Sequence, residues 1–200
     1  GEGMEWAAPF SFDAVRRIAP FADLCTGALI AAEVGLETFE PEFGVGQFEV
    51  SCGPAVGLAG ADRVILTREV VREAARQSNM NATFTPKPAP EAVGNGCHLH
   101  ISLWDKHHKP AGFDPEGPGE MSPTTAQFVA GVKKHMQALT ALTAPSPISY
   151  LRLGPHHWAC GYDAVGVQNR EAAIRICPSP DKDPKIRGHA HNIEIRSTDA

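Results

Sequence analysis

Apolar and polar residues alternate most sharply around residues 97–103, where Leu99, Ile101 and Leu103 interleave with His98, His100 and Ser102. Strand side chains point to opposite faces in turn, so this stretch predicts a strand with both imidazoles and the hydroxyl on one side. Gly94-Asn95-Gly96 precedes it and lets the backbone turn sharply and approach a ligand closely. The same alternation recurs elsewhere. At 47–51, Phe48 and Val50 oppose Glu49. At 172–176, Ile174 and Ile176 oppose Arg175. At 192–196, Ile193 and Ile195 oppose Glu194 and Arg196. Residues 36–40 and 82–85 predict two further strands, the second closed by Pro86-Lys87-Pro88.

Between these segments the period lengthens to that of a helix. Pro20 opens a predicted helix to about residue 32, with Phe21, Leu24, Ala28 and Ala32 on one stripe. Asp62 can cap a second to about residue 77, with Val64, Val71 and Ala75 inward. Thr124 or Thr125 can cap a third to about residue 142. It would bury Phe128, Val132, Met136 and Leu139 and stop at Ala144-Pro145-Ser146-Pro147. Residues 107–121 and 178–187 are polar and predict connections. Helices and strands follow each other without regular βαβ alternation, so the expected class is α+β.

Composition narrows the function classes. The chain has 200 residues, 42% apolar and 20% charged, ordinary values for a globular protein with a full core. A net charge of −5 does not suggest nucleic-acid binding. No apolar run reaches membrane-spanning length, and no signal-peptide pattern opens the chain, so a cytoplasmic protein is expected. Cys25, Cys52, Cys97, Cys160 and Cys177 are widely spaced with no C-x-x-C pair, which favours reduced thiols over a disulfide frame. The chain opens at Gly1-Glu2-Gly3 and closes a few residues past a predicted strand, which predicts a piece of a longer polypeptide.

Three predicted strands carry ionisable groups on one face and apolar groups on the other. If they are neighbours, Glu49, His98, His100, Glu194 and, across a Gly-containing bend, Glu42 converge. Oxygen ligands with one or two histidines suit Mg²⁺ or Mn²⁺. Each of these residues taken singly is as readily a satisfied or solvent-facing strand position. Arg152, Arg170, Arg175 and Arg196 form a second group, suited to two-pronged capture of carboxylate or phosphate, or to surface ion pairs. Divalent metals with several arginines equip a site for phosphoryl transfer. The chain has no G-x-x-x-x-G-K-[ST] loop, so ATP would be held by another architecture.

Taken together, the segments resemble the catalytic domain of the glutamine synthetase family. The stretches are Gly46-Gln47-Phe48-Glu49, residues 82–88, residues 94–104, Ser149-Tyr150-Leu151-Arg152-Leu153, residues 169–175 and Ile193-Glu194-Ile195-Arg196, in the family's order. The resemblance implies a curved antiparallel sheet with flanking helices, here an incomplete catalytic domain over residues 1–200. The small N-terminal β-grasp domain and the first catalytic strands, with two more glutamates, would lie upstream. It implies ATP-dependent ligation of glutamate to ammonia or an organic amine, with Mg²⁺ or Mn²⁺, in a homo-oligomer of the full-length protein. Glu42 and Glu49 then match ligands of one metal, His98 and Glu194 of another. His100 and Ser102 match positions beside the nucleotide, and Arg170 and Arg175 the arginines on its phosphates, Arg170 being the catalytic candidate. Gly94, Arg152 and Arg196 match glutamate-binding positions. The piece alone is expected to be inactive.

Two positions depart from the family pattern. Ammonia-using members carry a flap glutamate six residues after the arginine matched by Arg152, where this chain has Trp158. Indole cannot act as a base but can stack on a larger cationic or apolar amine, which favours an organic amine as acceptor. Asp163 or His157 are the candidates for a replacement base. Asn192 stands where the family often has an arginine near the nucleotide. A non-catalytic family member and an unrelated H-x-H metallohydrolase are the competing expectations; the metallohydrolase leaves the arginine-rich segments unexplained.

Overall fold

A computed structural model describes residues 9–200. The opening residues Gly1–Gly3 lie outside them. The chain divides into two compact units: one runs to Phe84 and includes Glu91–Val93, and the other comprises Thr85–Pro90 and Gly94–Ala200.

The first unit contains α1 (Phe12–Arg17), α2 (Ala19–Ala31), β1 (Leu36–Pro41), β2 (Phe48–Cys52) and α3 (Leu58–Gln77). Pro20 sits in the first turn of α2, where its missing N–H would have had no intrahelical partner anyway. The buried stripe of α2 is Phe21, Ala22, Cys25 and Leu29, not the expected Phe21, Leu24, Ala28, Ala32; Leu24 faces solvent. The helix is apolar nearly all round, so the pattern cannot set its rotation, and packing against Val71, Ala74 and Ala75 of α3 does. β1 and β2 form an antiparallel hairpin in which Phe39 faces Val50 and Glu40 faces Glu49. Phe39 stacks on Phe48 at 5.5 Å and receives the edge of Phe21 at 6.1 Å.

The expected strand at 82–85 does not form. The carbonyl of its last residue, Thr85 O, accepts the side-chain amide of Asn95 at 2.8 Å, and Pro86 O just beyond it accepts the Asn95 backbone N–H at 2.9 Å. Gly57, with φ +60°, caps α3 five residues before the expected Asp62 cap.

The second unit contains β3 (Leu99–Ile101), α4 (Pro123–Lys134), α5 (Met136–Thr143), α6 (Ser149–Arg152), β4 (Tyr162–Val167), β5 (Ala172–Cys177), α7 (Pro184–Ala190) and β6 (Asn192–Ile195). Its sheet has the order β3-β6-β5-β4. β3–β6 and β6–β5 pair antiparallel, but β4–β5 is parallel, so the expected antiparallel sheet is mixed. The class is α+β as expected. Ser122, not Thr124 or Thr125, caps α4, accepting the N–H of Thr125. The single helix expected there breaks at His135, and α5 continues from Met136. α7 occupies part of the expected polar connection, capped by Asp183. The core is built by Met121, Val129 and Met136 against Ala173, Ile174, Ile176 and Ile193 of the sheet. All five cysteines are free thiols. Among the described residues no helix is long and apolar enough to cross a membrane.

Candidate active site on the sheet of the second unit

β6 lies between β3 and β5, and its central residue Glu194 is opposite His100 on one side and Arg175 on the other. The apolar side of these strands packs into the core, which leaves Glu194, His98, His100 and Arg175 on the other face. Glu194 is only 1% exposed. A carboxylate that far from water needs compensation. Arg175 and Arg196 both ion-pair with it. His98 Nδ1 stands 3.2 Å and His100 Nε2 3.7 Å from the same oxygen, Oε1. The H-x-H spacing therefore does bring both imidazoles to one carboxylate.

A third of the His98 side chain reaches solvent. Packing around the rest, followed by the charges of Arg196 and Arg152, pushes its pKa down to about 3, so the imidazole is neutral at physiological pH and its lone pair is available. His100 Nδ1 contacts Asn192 Oδ1 at 2.8 Å, while Asn192 Nδ2 donates to Ala190 O at 2.8 Å. Ser102 Oγ accepts the indole N–H of Trp104 at 2.8 Å.

Arg196 is 2% exposed and ties three segments together. Besides Glu194, its Nε donates to Arg170 O at 3.0 Å and its Nη2 to Trp158 O at 2.6 Å. Burial draws its guanidinium below the ordinary pKa. The Arg170 side chain is exposed. Arg152 is 3% exposed, and its Nη2 donates to Ser197 O (2.9 Å), Thr198 O (3.0 Å) and Asp199 Oδ1 (3.1 Å). In this conformation it holds residues 197–199. Gly94 is required beside it: a Cβ there would lie 2.6 Å from Arg152 Cγ and 3.1 Å from Pro86 O. Asp163 pairs with Lys133 at 3.0 Å, and His157 Nδ1 packs on Gly154, where a Cβ would come within 2.8 Å.

Trp158 is 56% exposed and sits in the loop between α6 and β4. Its backbone and that of His156 are left-handed, with φ +50° and +64°. The Glu171 carboxylate accepts both N–H groups, from His156 at 3.1 Å and from Trp158 at 3.0 Å. The sequence reading did not single out Glu171, because nothing in its spacing marks it; only the folded loop brings its partners within reach.

Glu42 and Glu49 belong to the first unit. Glu49 lies on β2, opposite Glu40. Burial raises its pKa, and so does a side-chain hydrogen bond with Glu42; Ser51 opposes the shift. Glu42 Oε2 also accepts the N–H of Phe43 at 2.7 Å. Among the described residues neither glutamate has a basic ion-pair partner. Within each unit, no three described His, Cys, Asp or Glu side chains are placed to hold a metal ion together. The donor chemistry nevertheless fits a divalent cation: two crowded carboxylates in one unit, a neutral imidazole beside a carboxylate in the other.

Residues 4–200 match the model of the glutamine synthetase catalytic domain. Gamma-glutamylpolyamine synthetase GlnA3 of Streptomyces coelicolor is 42% identical over 179 residues, 89% of this chain and 37% of that protein. The glutamine synthetase of Halobacterium salinarum is 38% identical over 164 residues, 82% of this chain and 35% of its own length. A crystal structure described as a novel glutamine synthase homolog superposes with a TM-score of 0.92 at 46% identity, covering 98% of this chain and 46% of that one. A GmaS/ADP complex gives 0.76 at 30% identity, covering 95% and 43%. The chain thus spans a little over a third of the length of these curated relatives. It belongs to the glutamine synthetase family, matching the catalytic domain.

Proposed function

We propose that this chain carries part of the active site of an ATP-dependent ligase that joins the γ-carboxylate of glutamate to an organic amine. The observation that carries the reading is the Glu194 cluster: a buried carboxylate, two arginines and two imidazoles on one sheet face in a member of this family. In the proposed reaction a γ-carboxylate oxygen attacks the terminal phosphorus of ATP and ADP leaves, giving γ-glutamyl phosphate. The amine nitrogen then attacks the acyl carbon, phosphate leaves, and the nitrogen gives up a proton.

The roles follow from residue chemistry. His98 and Glu194 would hold one Mg²⁺ or Mn²⁺, and Glu42 and Glu49 another. Bound there, such ions neutralise charge on the phosphates. Arg170 and Arg175 stabilise the charge that spreads over the transferring phosphoryl group. His100 and Ser102 border the nucleotide. Gly94, Arg152 and Arg196 receive glutamate, which requires Arg152 to exchange its carbonyl partners at 197–198 for the substrate carboxylate.

Trp158 sets the acceptor class. An indole takes no proton but offers a face to a cationic or apolar amine. The likeness to a protein named for polyamines supports the same class. Activity is proposed for the intact, homo-oligomeric protein. The test is phosphate release from ATP and glutamate by that protein with ammonium and with a series of mono- and polyamines. Faster turnover with an organic amine is expected; faster turnover with ammonium overturns the acceptor assignment. Steady turnover by the 200-residue chain alone would show that residues beyond it are dispensable.

A further inference from the structure

We propose that Glu171 is a positioning residue that sets acceptor selectivity by clamping the loop that presents Trp158; this rests on the acceptor reading above. The loop is held from several sides. The Glu171 carboxylate accepts the N–H groups of His156 and Trp158, at 3.1 and 3.0 Å. Arg196 donates to Trp158 O at 2.6 Å, and Ala159 is buried at 3% exposure. Both residues that donate to Glu171 have left-handed backbones, a conformation that non-glycine side chains resist. Such a backbone persists only where its surroundings over-determine it. A charged acceptor for both N–H groups supplies that constraint.

Glu171 is itself fixed. Its N–H donates to Asn169 Oδ1 at 2.9 Å, and its carbonyl accepts from Tyr162 at 3.2 Å, immediately before β5. The loop is therefore anchored to the rigid sheet that also carries Arg175 and Glu194. With the backbone pinned on both sides of the residue, the exposed indole is presented at one place. Loss of the clamp lets the loop relax to ordinary backbone angles and moves the indole, while the Glu171 carboxylate itself bonds only the loop N–H groups of His156 and Trp158 and not a side chain assigned to ATP or metal.

Two measurements test this. Amide exchange compares the native protein with Glu171→Ala and Glu171→Gln. The amides of His156 and Trp158 are expected to exchange about tenfold faster in Glu171→Ala, with an intermediate rate in Glu171→Gln, which keeps one acceptor oxygen. Amides of β5 and β6 should be unchanged, which confirms folding. Kinetics of the intact protein should show KM for the organic amine rising about tenfold in Glu171→Ala, with KM for glutamate and ATP within about twofold and partial rescue in Glu171→Gln. Unchanged exchange at His156 and Trp158 overturns the clamp. Faster exchange with no selective change in amine KM overturns the role in selectivity. Should the native protein use ammonium alone, the acceptor reading fails and this role with it, while the exchange result still decides the clamp.

Discussion

Glu194 on β6 and Glu49 on β2 are the same residue type, each on a strand with apolar neighbours, and the fold treats them oppositely. Glu194 is 1% exposed and meets two guanidiniums and two imidazoles within its own sheet. Glu49 is at the surface of a two-stranded hairpin, faces Glu40 across it and lies close enough to Glu42 for the two acidic groups to raise its pKa. One carboxylate is compensated in place, so its charge is part of what holds the unit together. The other is left in mutual repulsion, which a divalent cation would relieve. A charged strand position can therefore be structural, ligand-seeking or both, and only its neighbours tell.

The largest test of that contrast is Glu194→Ala. Removing one member of a buried ion cluster strands the others, and a loss of about 3–5 kcal/mol is expected in urea unfolding. A loss under about 1 kcal/mol, typical of exposed pairs, would erase the difference between the two glutamates. Next is Arg196→Lys. Lysine keeps the charge but cannot reach Glu194, Arg170 O and Trp158 O at once, so about 2–3 kcal/mol is expected to go. Full stability would show that charge alone suffices.

The first unit keeps its buried titratable group neutral instead. Cys25 is fully buried, and burial lifts its thiol pKa to about 11. The folded chain thus holds the proton more tightly than the unfolded chain. The associated stability is present below the unfolded pKa near 9 and is lost as pH rises through about 11. Between pH 8 and 10 the native protein should lose about 1 kcal/mol more than Cys25→Ala. Equal losses would break the assignment. The smallest effect belongs to Glu49→Gln. Relieving carboxylate repulsion at a surface hairpin should leave stability unchanged or raise it by less than about 1 kcal/mol. The same substitution should weaken Mn²⁺ binding by the intact protein in calorimetry. A large destabilisation would place Glu49 with Glu194.

The sheet face was legible in the sequence because strand alternation is local. His98, His100, Glu194 and Arg175 fell on one side by period alone, and the register of β3, β6 and β5 completed the cluster. β4 was not legible. Its Val165 and Val167 are 39% and 52% exposed, so its apolar residues lie on the wrong side for a pattern argument, and its parallel pairing is set by β5. The strand expected at 82–85 failed because Asn95, ten residues on, takes its terminal carbonyl. The break at His135 and the choice of Ser122 as cap are decided by packing and by a loop contact, Ser122 Oγ donating to Ala111 O at 2.8 Å. Among the candidate site residues, Arg152 and Arg196 were legible as arginines but not as tethers, since their partners are backbone carbonyls that no side-chain motif encodes.

Asn192 decides which way one imidazole is wired. Its amide nitrogen is committed to Ala190, so its oxygen takes the Nδ1 proton of His100. In the neutral ring the far nitrogen is then bare, and it looks toward a carboxylate that is also an acceptor. Whatever settles between them must bring its own hydrogen or a positive charge.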